Sequence, residues 1–159
     1  MGAIETRLND LDIVLPIAAA PAANYVPYVK SGRLLVLSGQ LPFKDGKLAY
    51  LGRLGDTLSI DDGYQAARLC GINLIAQIKA AIGDLDRVAR VVRLGGFVNS
   101  TSDFTDQPKV VNGASDLMVE VFGDAGRHAR SAVSSPSLPL GVSVEVDAII
   151  ELADEAAKT

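Results

Sequence analysis

Two charged residues in the C-terminal part of the chain have the types and the placement that suit hydrolysis of a carboxylate-bearing substrate. Arg130 opens the predicted penultimate strand and is followed by Ser131, and Glu145 lies in a stretch of alternating apolar and polar residues further on. A planar guanidinium binds a carboxylate through two parallel hydrogen bonds, which fix its position and orientation. A glutamate beside water takes a proton from it as a general base. The alternative interpretation is an exposed cross-strand Arg–Glu ion pair, which contributes about 0.2–1 kcal/mol.

Other kinds of catalytic machinery are missing from the sequence. Cys70 is the only cysteine and His128 the only histidine, so the sequence offers neither a disulfide framework nor a Cys/His set with zinc spacing. It contains no phosphate-binding glycine loop and no nucleophile elbow. We therefore expect no cofactor and no metal. A lone histidine near a loop is usually structural or exposed, so His128 is not a candidate site residue.

The amino-acid composition limits the classes of partner that we expect the chain to bind. The 19 acidic residues outnumber the 15 Lys and Arg, giving a net charge of −4 without a basic run, which argues against binding to nucleic acid. No stretch approaches 18 uninterrupted apolar residues, so we expect no membrane span. The 48% of hydrophobic residues suffice for one core, and residues 1–159 are predicted to form a single domain in the cytoplasm.

The first half of the chain predicts a helix, a hairpin and a loop. Leucines at helical spacing predict an amphipathic helix over residues 5–15 that ends at Pro16, and residues 18–23 form an Ala/Pro connector. Strand-like residues from Tyr25 and the apolar run at residues 34–37 flank a polar turn, which predicts a hairpin. The Asp-Gly signal in residues 44–47 and the glycines that follow indicate a surface loop with little regular structure.

The second half alternates strands and helices. A long helix is expected from a cap at Ser59 or Asp61 to Gly83, and a second from Pro108 to Gly123. Between them, residues 88–98 predict a strand in which Gly95-Gly96 indicates a bulge or a closely approached backbone. Two final strands are expected at residues 130–134 and 142–152, and in the last of these the side chain of Glu145 points away from the valines.

The order helix, β, β, α, β, α, β, β favours an α+β fold. Each long helix has one apolar stripe to bury, so both helices are predicted to pack on one face of a mixed sheet. In such a sheet the strand that carries Glu145 is free to lie beside the strand that carries Arg130.

Several sequence blocks resemble the signatures of one known family. They are Pro27-Tyr28-Val29, the block at residues 37–42, the block at residues 110–114 around Asn112, Arg130-Ser131-Ala132-Val133, Leu138-Pro139, and the block at residues 144–149. Together they extend from about Asn24 to Glu151 in the same order. The chain resembles the Rid/YjgF family, whose members are also called reactive intermediate or imine deaminases and endoribonuclease L-PSP.

The resemblance implies a bacillus-type chorismate-mutase-like fold, a homotrimer with a barrel-like core, and a ligand cleft at each subunit interface. In that reading Arg130 holds the carboxylate of a small imine or enamine, and Glu145 activates water and relays its proton to the departing ammonia. Tyr28, Ser38, Gly39 and Asn112 would line the cleft, and no cofactor is needed. The ordinary alternatives are a strand-edge aromatic for Tyr28, a turn for Ser38-Gly39 and a solvent-facing side chain for Asn112.

The chain also departs from the best-known members of that family. It is longer, with the helix within residues 1–16 and the loop at residues 43–57 as additions, and Ala132 stands where those members often carry a cysteine. Gly95-Gly96 replaces bulkier residues. The resemblance favours a deaminase of the 2-aminoacrylate and 2-iminopropionate type. The alternatives are a carboxylate-binding or regulatory trimer without turnover and, ranked last, a ribonuclease.

Overall fold

The computed structural model describes residues 1–20 and 24–154, which have an α+β fold. Residues 21–23 of the predicted connector lie outside the described residues. The helices are α1 (Ala3–Asp10), α2 (Ile60–Ile82) and α3 (Gln107–Phe122). The strands are β1 (Tyr28–Ser31), β2 (Leu34–Gln40), β3 (Phe43–Lys44), β4 (Lys47–Leu48), β5 (Val88–Asn99), β6 (Ala129–Ser135) and β7 (Val144–Leu152). The predicted order of the main elements is confirmed.

Five strands form one mixed sheet in the order β1-β2-β7-β5-β6. The pairs β1–β2, β2–β7 and β5–β7 are antiparallel, and β5–β6 is parallel. The predicted loop at residues 43–57 contains a second, two-stranded sheet of β3 and β4. Its turn residues Asp45 and Gly46 both have positive φ, which is the backbone that an Asp-Gly hairpin turn requires.

Both long helices pack on one face of this sheet, as predicted. Ser59 begins α2 with a reciprocal capping box, in which its hydroxyl accepts from the Asp62 amide and the Asp62 carboxylate accepts from the Ser59 amide. Gly83 ends the helix with φ 76°. The apolar stripe of α2 packs against β7 and β2, and that of α3 packs against β5 and β6. The alternate residues of β7 that face the helices are at most 1% exposed. No helix within the described residues has the length and the apolarity to cross a membrane.

Gly113 sets the approach of α3 to α2. A Cβ at this position would overlap the Tyr64 carbonyl oxygen of α2, which is backbone and has no rotamer to change. We expect Gly113→Ala to destabilise the fold by about 1–3 kcal/mol or more, because the helices must separate. Urea unfolding measures this loss.

Gly71→Ala is the matched control for that experiment. It lies on α2 in the same interface, but its Cβ would overlap the tip of the Leu117 side chain at 2.8 Å and would meet the Ala114 backbone at an ordinary contact distance of 3.5 Å. The clash is relieved by a small side-chain shift and offset by about 1 kcal/mol of gained helix propensity. Equal losses for the two variants would show that the close backbone contact at Gly113 is not what limits the packing.

The N-terminal helix is shorter than the predicted span of residues 5–15, and Pro16 does not end it. Helix α1 stops at Asp10 because Asp12 turns the backbone to φ 54°. The amide of Ile13 then donates to the Leu8 carbonyl at 2.9 Å, a bond typical of a helix C-terminus. Leu8 is buried, and Ile13 packs partly buried against the core. Burial of the Ile13 side chain therefore competes with continuation of the helix.

The glycine pair in β5 marks a close approach rather than a bulge. Its residues keep regular register with both neighbouring strands, and the irregularities of β5 lie earlier, between Val88 and Arg90 and between Val91 and Arg93. A Cβ at Gly96 would meet the Val111 side chain of α3 at 2.5 Å. The glycine therefore lets α3 pack tightly on the sheet.

The expected adjacency of the strands that carry Arg130 and Glu145 is wrong. Strand β5 lies between β6 and β7, so the two residues are separated by two strand spacings, about 10 Å. Arg130 is in register with Leu94 of β5, whereas Glu145 is in register with Phe97. The parallel pairing of β5 with β6 places β6 at the sheet edge, and this excludes a cross-strand ion pair between Arg130 and Glu145 within one chain.

Candidate functional site

Arg130 lies on the edge strand β6 and points toward α3. Its Nη1 donates to Asn112 Oδ1 at 2.8 Å and to Ser115 Oγ at 3.0 Å, and its Nη2 lies 3.5 Å from the Pro108 carbonyl oxygen. Asn112 and Ser115 are three residues apart on α3 and so share one face of the helix. Among the described residues, no carboxylate lies within ion-pair distance of Arg130. The guanidinium is held by neutral acceptors and keeps its charge for a ligand.

Glu145 lies on the opposite face of the sheet, which none of the described helices covers. Its side chain shares a row with Phe97 and Val133, which are 36% and 46% exposed. Burial, and then the nearby Asp147 carboxylate, raise the pKa of Glu145. In the part of the chain that the structure describes, no donor forms a hydrogen bond or ion pair with it, whereas Asp147 has Arg93 at 3.5 Å. A half-buried carboxylate with a raised pKa and no partner is a candidate general base.

Ser38 and Gly39 lie where β2 leaves its regular pairing with β7. The register shifts between Leu37 and Gln40, and a Cβ at Gly39 would overlap the Glu145 carboxylate. Glycine at this position therefore leaves room for that carboxylate, as β-bulges beside sites often do. Ser38 Oγ donates to the Val26 carbonyl at 2.7 Å. Ser38 and Gly39 are part of a strand irregularity rather than of the turn considered for them.

Tyr28 and Asn112, which are expected to line the ligand cleft, differ in where the structure places them. Tyr28 is in register with the buried Leu37 and packs partly buried against the core on the helix side of the sheet. The structure brings it together with neither Glu145 nor Arg130. Asn112 does not face solvent, because its amide oxygen accepts from the Arg130 guanidinium. The lining roles of both residues stay predictions.

The candidate residues therefore form two separate groups in one chain. We call Glu145 with Gly39 and Ser38 the Glu145 half of the candidate site, and Arg130 with Asn112 the Arg130 half. Strands β2 and β6, which carry parts of the two halves, lie three strand spacings apart, about 14 Å. The charged groups also point to opposite faces of the sheet. A three-carbon substrate cannot contact both halves of the same subunit.

The prediction from sequence missed Ser115 and set His128 aside. The Ser115 hydroxyl lies 2.8 Å from His128 Nε2, and His128 Nδ1 lies 2.6 Å from the Gly126 carbonyl oxygen. The three-residue spacing of Ser115 from Asn112 was a signal in the sequence, since such residues share a helix face. Nothing in the sequence showed that the loop before β6 folds His128 back onto α3.

Two further kinds of site have little support in the described part of the chain, a metal site and a reactive thiol at Cys70. No group of three or more His, Cys, Asp or Glu side chains there is placed to hold a metal ion. Cys70 is fully buried in α2, and its Sγ lies 3.6 Å from the Val144 carbonyl oxygen. Burial raises the pKa of its thiol, which keeps it protonated and unreactive.

Comparison with known proteins assigns the chain to a family. Residues 5–152 match the family model described as "YjgF/chorismate_mutase-like, putative endoribonuclease". Protein TCP17 of Trypanosoma cruzi is 53% identical over 152 residues, which cover 95% of either chain. The crystal structure of Atu1372 from Agrobacterium tumefaciens superposes with a TM-score of 0.88 at 49% identity, covering 94% of this chain and 92% of that one. RidA from Psychrobacter sp. PAMC 21119 does so with a TM-score of 0.61 at 25% identity, covering 86% and 94%. The chain belongs to the YjgF/chorismate-mutase-like family, also known as Rid/YjgF.

Proposed function

We propose that this protein hydrolyses small imines and enamines that carry a carboxylate, of the 2-iminopropionate and 2-aminoacrylate type, in clefts between the subunits of a homotrimer. The observation that carries the proposal is a pair of opposite charges, neither of which has an ion-pair partner within the described residues. Arg130 is positioned by neutral groups, and Glu145 is half-buried without a donor, within the described residues. By contrast, Arg68 forms an ion pair with Glu120 at 2.8 Å. Groups left unpaired at some cost are typical of binding and catalytic sites.

The uncovered sheet face supports assembly with further copies. It exposes a group of apolar side chains between 36% and 53% of their area, namely Val29, Leu34, Val36, Phe97 and Val133. Rows of such residues on one face are typical of a surface that another subunit covers. Packing of three such faces around an axis would form the barrel-like core expected from the family. It also offers a way to bring the Arg130 half of one subunit to the Glu145 half of its neighbour.

The proposed reaction uses both halves of the cleft. Arg130 binds the substrate carboxylate through two hydrogen bonds and holds the imine carbon over Glu145. Glu145 takes a proton from water while the water oxygen bonds to the imine carbon, and passes the proton to nitrogen. The carbon–nitrogen bond of this adduct then breaks as Glu145 moves the hydroxyl proton to the nitrogen, so that ammonia leaves and the oxygen becomes a carbonyl. Water and imine give ketone and ammonia without an oxidant or reductant, so no cofactor is required.

Ribonuclease activity, which the family description also names, has less physical support. The chain carries a net charge of −4 and only 5% aromatic residues. Sequence-independent binding to RNA needs cations along a groove and aromatic stacking platforms. We propose that nucleic acid is not a partner.

The single cysteine fits the cytoplasmic location that we propose with this function. Cys70 is a buried free thiol and has no second cysteine with which to form a disulfide. Such a thiol is typical of proteins in reducing compartments.

Arg130→Ala tests the proposed function directly. With 2-iminopropionate generated by an amino-acid oxidase, the wild type should accelerate ammonia release, and the variant should lose about 100-fold in kcat/KM, since a desolvated charge pair contributes about 2–5 kcal/mol. The molecular mass in solution is measured for both proteins. A trimeric wild type without acceleration would contradict the deaminase, and a stable wild-type monomer would contradict the shared cleft.

A further inference from the structure

A short network of side chains connects the loop before β6 to Arg130. His128 lies in that loop, and its two ring nitrogens face Gly126 on one side and Ser115 of α3 on the other. Ser115 Oγ in turn lies 3.0 Å from Arg130 Nη1. Three of these residues, Ser115, His128 and Arg130, help to line a surface cavity of about 280 Å³.

The direction of each hydrogen bond follows from the one fixed acceptor in the network. The Gly126 carbonyl oxygen can only accept, so His128 Nδ1 carries the proton and donates it at 2.6 Å. Burial, and to a smaller extent the positive charge of Arg130, lower the pKa of His128, so its ring is neutral at pH 7 and Nε2 is an acceptor. The Ser115 hydroxyl donates its only proton to Nε2, which directs its lone pairs toward Arg130.

In this arrangement the Nη1 group of the guanidinium has no hydrogen left for a ligand. Nη1 has two hydrogens, and Asn112 Oδ1 and Ser115 Oγ accept one each. Among the described residues, the one hydrogen-bond contact of Nη2 is the long 3.5 Å contact with the Pro108 carbonyl oxygen. The edge formed by Nε and Nη2 is therefore the edge left for a carboxylate that binds through two parallel hydrogen bonds.

We infer that Ser115 and His128 are positioning residues that fix the orientation of Arg130 and thereby the edge on which it receives the substrate carboxylate. The inference rests on the proposed function, because it assigns these residues to the carboxylate subsite of the same cleft. It predicts that the network governs substrate binding more than the chemical step, since neither residue touches the reacting carbon.

The variants are chosen to separate hydrogen bonding from packing. Ser115→Ala and His128→Phe remove the hydroxyl and the ring nitrogens, whereas Ser115→Thr and His128→Gln keep a hydroxyl and an acceptor. Val119→Ala is the control, since Val119 lines the same cavity one turn further along α3. We expect KM for 2-iminopropionate to rise about tenfold in the first two variants, as for a lost hydrogen bond to a charged group. Their kcat should stay near the wild-type value, and the conservative variants and the control should keep both constants.

A second measurement reports on how well the Arg130 side chain is ordered, and it does not require turnover. The Nε–H resonance of Arg130 in the ¹⁵N–¹H NMR spectrum, assigned by its loss in Arg130→Lys, should be sharp in the wild type and broadened in Ser115→Ala and His128→Phe. An active enzyme whose KM and Arg130 resonance are unchanged in these two variants would overturn the inference. A sharp resonance that depends on Ser115 in a protein without deaminase activity would instead refute the proposed function and leave the positioning of Arg130 supported.

Discussion

Glu145→Gln should lower kcat for imine hydrolysis by about 10²–10⁴-fold, the range expected for loss of a general base. Glutamine has the same shape but cannot take a proton from water, and Gly39 leaves it the same room. Binding of pyruvate, the carboxylate product, should be retained because Arg130 is unchanged. The measurements are ammonia release at saturating substrate and calorimetric titration with pyruvate.

The pH profile provides an independent check on Glu145. Because its pKa is raised, the acid limb of kcat should lie above the usual range for a glutamate and should disappear in Glu145→Gln. A carboxyl whose pKa is raised in the folded state makes the fold less stable once it is charged, and this loss is relieved as the pH falls through the folded pKa. The variant should therefore be at least as resistant to urea as the wild type at neutral pH.

Glu151→Gln is the matched control for this prediction. Glu151 lies on the same strand and the same sheet face but pairs with Arg33 at 3.3 Å, and both side chains are partly exposed. Its replacement should leave kcat unchanged. A wild type that binds pyruvate but shows no turnover, together with a Glu145→Gln variant that binds equally well, would favour the carboxylate-binding trimer over the deaminase.

The main elements of the fold were predictable because their signals are local. Helix α2 has its capping residue Ser59, its apolar stripe and its terminal Gly83 in consecutive sequence, and the alternation in β7 is carried by the strand itself. The end of α1 was not predictable, because it depends on the packing of Ile13 against distant residues. Strand order is likewise a property of the whole sheet, and no local pattern shows that β5 separates β6 from β7.

The dependence of strand order on the whole sheet also limited how much of the site could be predicted. The residue types of Arg130 and Glu145 indicated their chemistry, but their faces depend on which strands are neighbours. Ser115 and His128 were missed because each has an ordinary local reading, a helix-surface serine and a loop histidine. Only the folded loop brings the imidazole to 2.8 Å from the serine hydroxyl.

The separation of the two halves leads to a test in which two inactive proteins restore activity together. Arg130→Ala keeps an intact Glu145 half, and Glu145→Gln keeps an intact Arg130 half. In a trimer whose cleft joins unlike halves of neighbouring subunits, the interfaces are heterologous and follow one direction around the ring. Any trimer that contains both variants then has one cleft with an intact arginine and an intact glutamate.

Co-expression of the two variants with different tags, followed by isolation of the doubly tagged trimers, should recover about one third of the wild-type kcat, and a random equal mixture about one quarter. Each variant alone should stay near background. The control is Glu145→Gln mixed with the double variant Arg130→Ala/Glu145→Gln, in which every glutamate is replaced and no cleft is complete. If doubly tagged trimers of the two single variants form but stay inactive, Arg130 and Glu145 do not act on one substrate across the interface. Recovery of activity would place them in one cleft, although a single subunit holds them on opposite faces of its sheet.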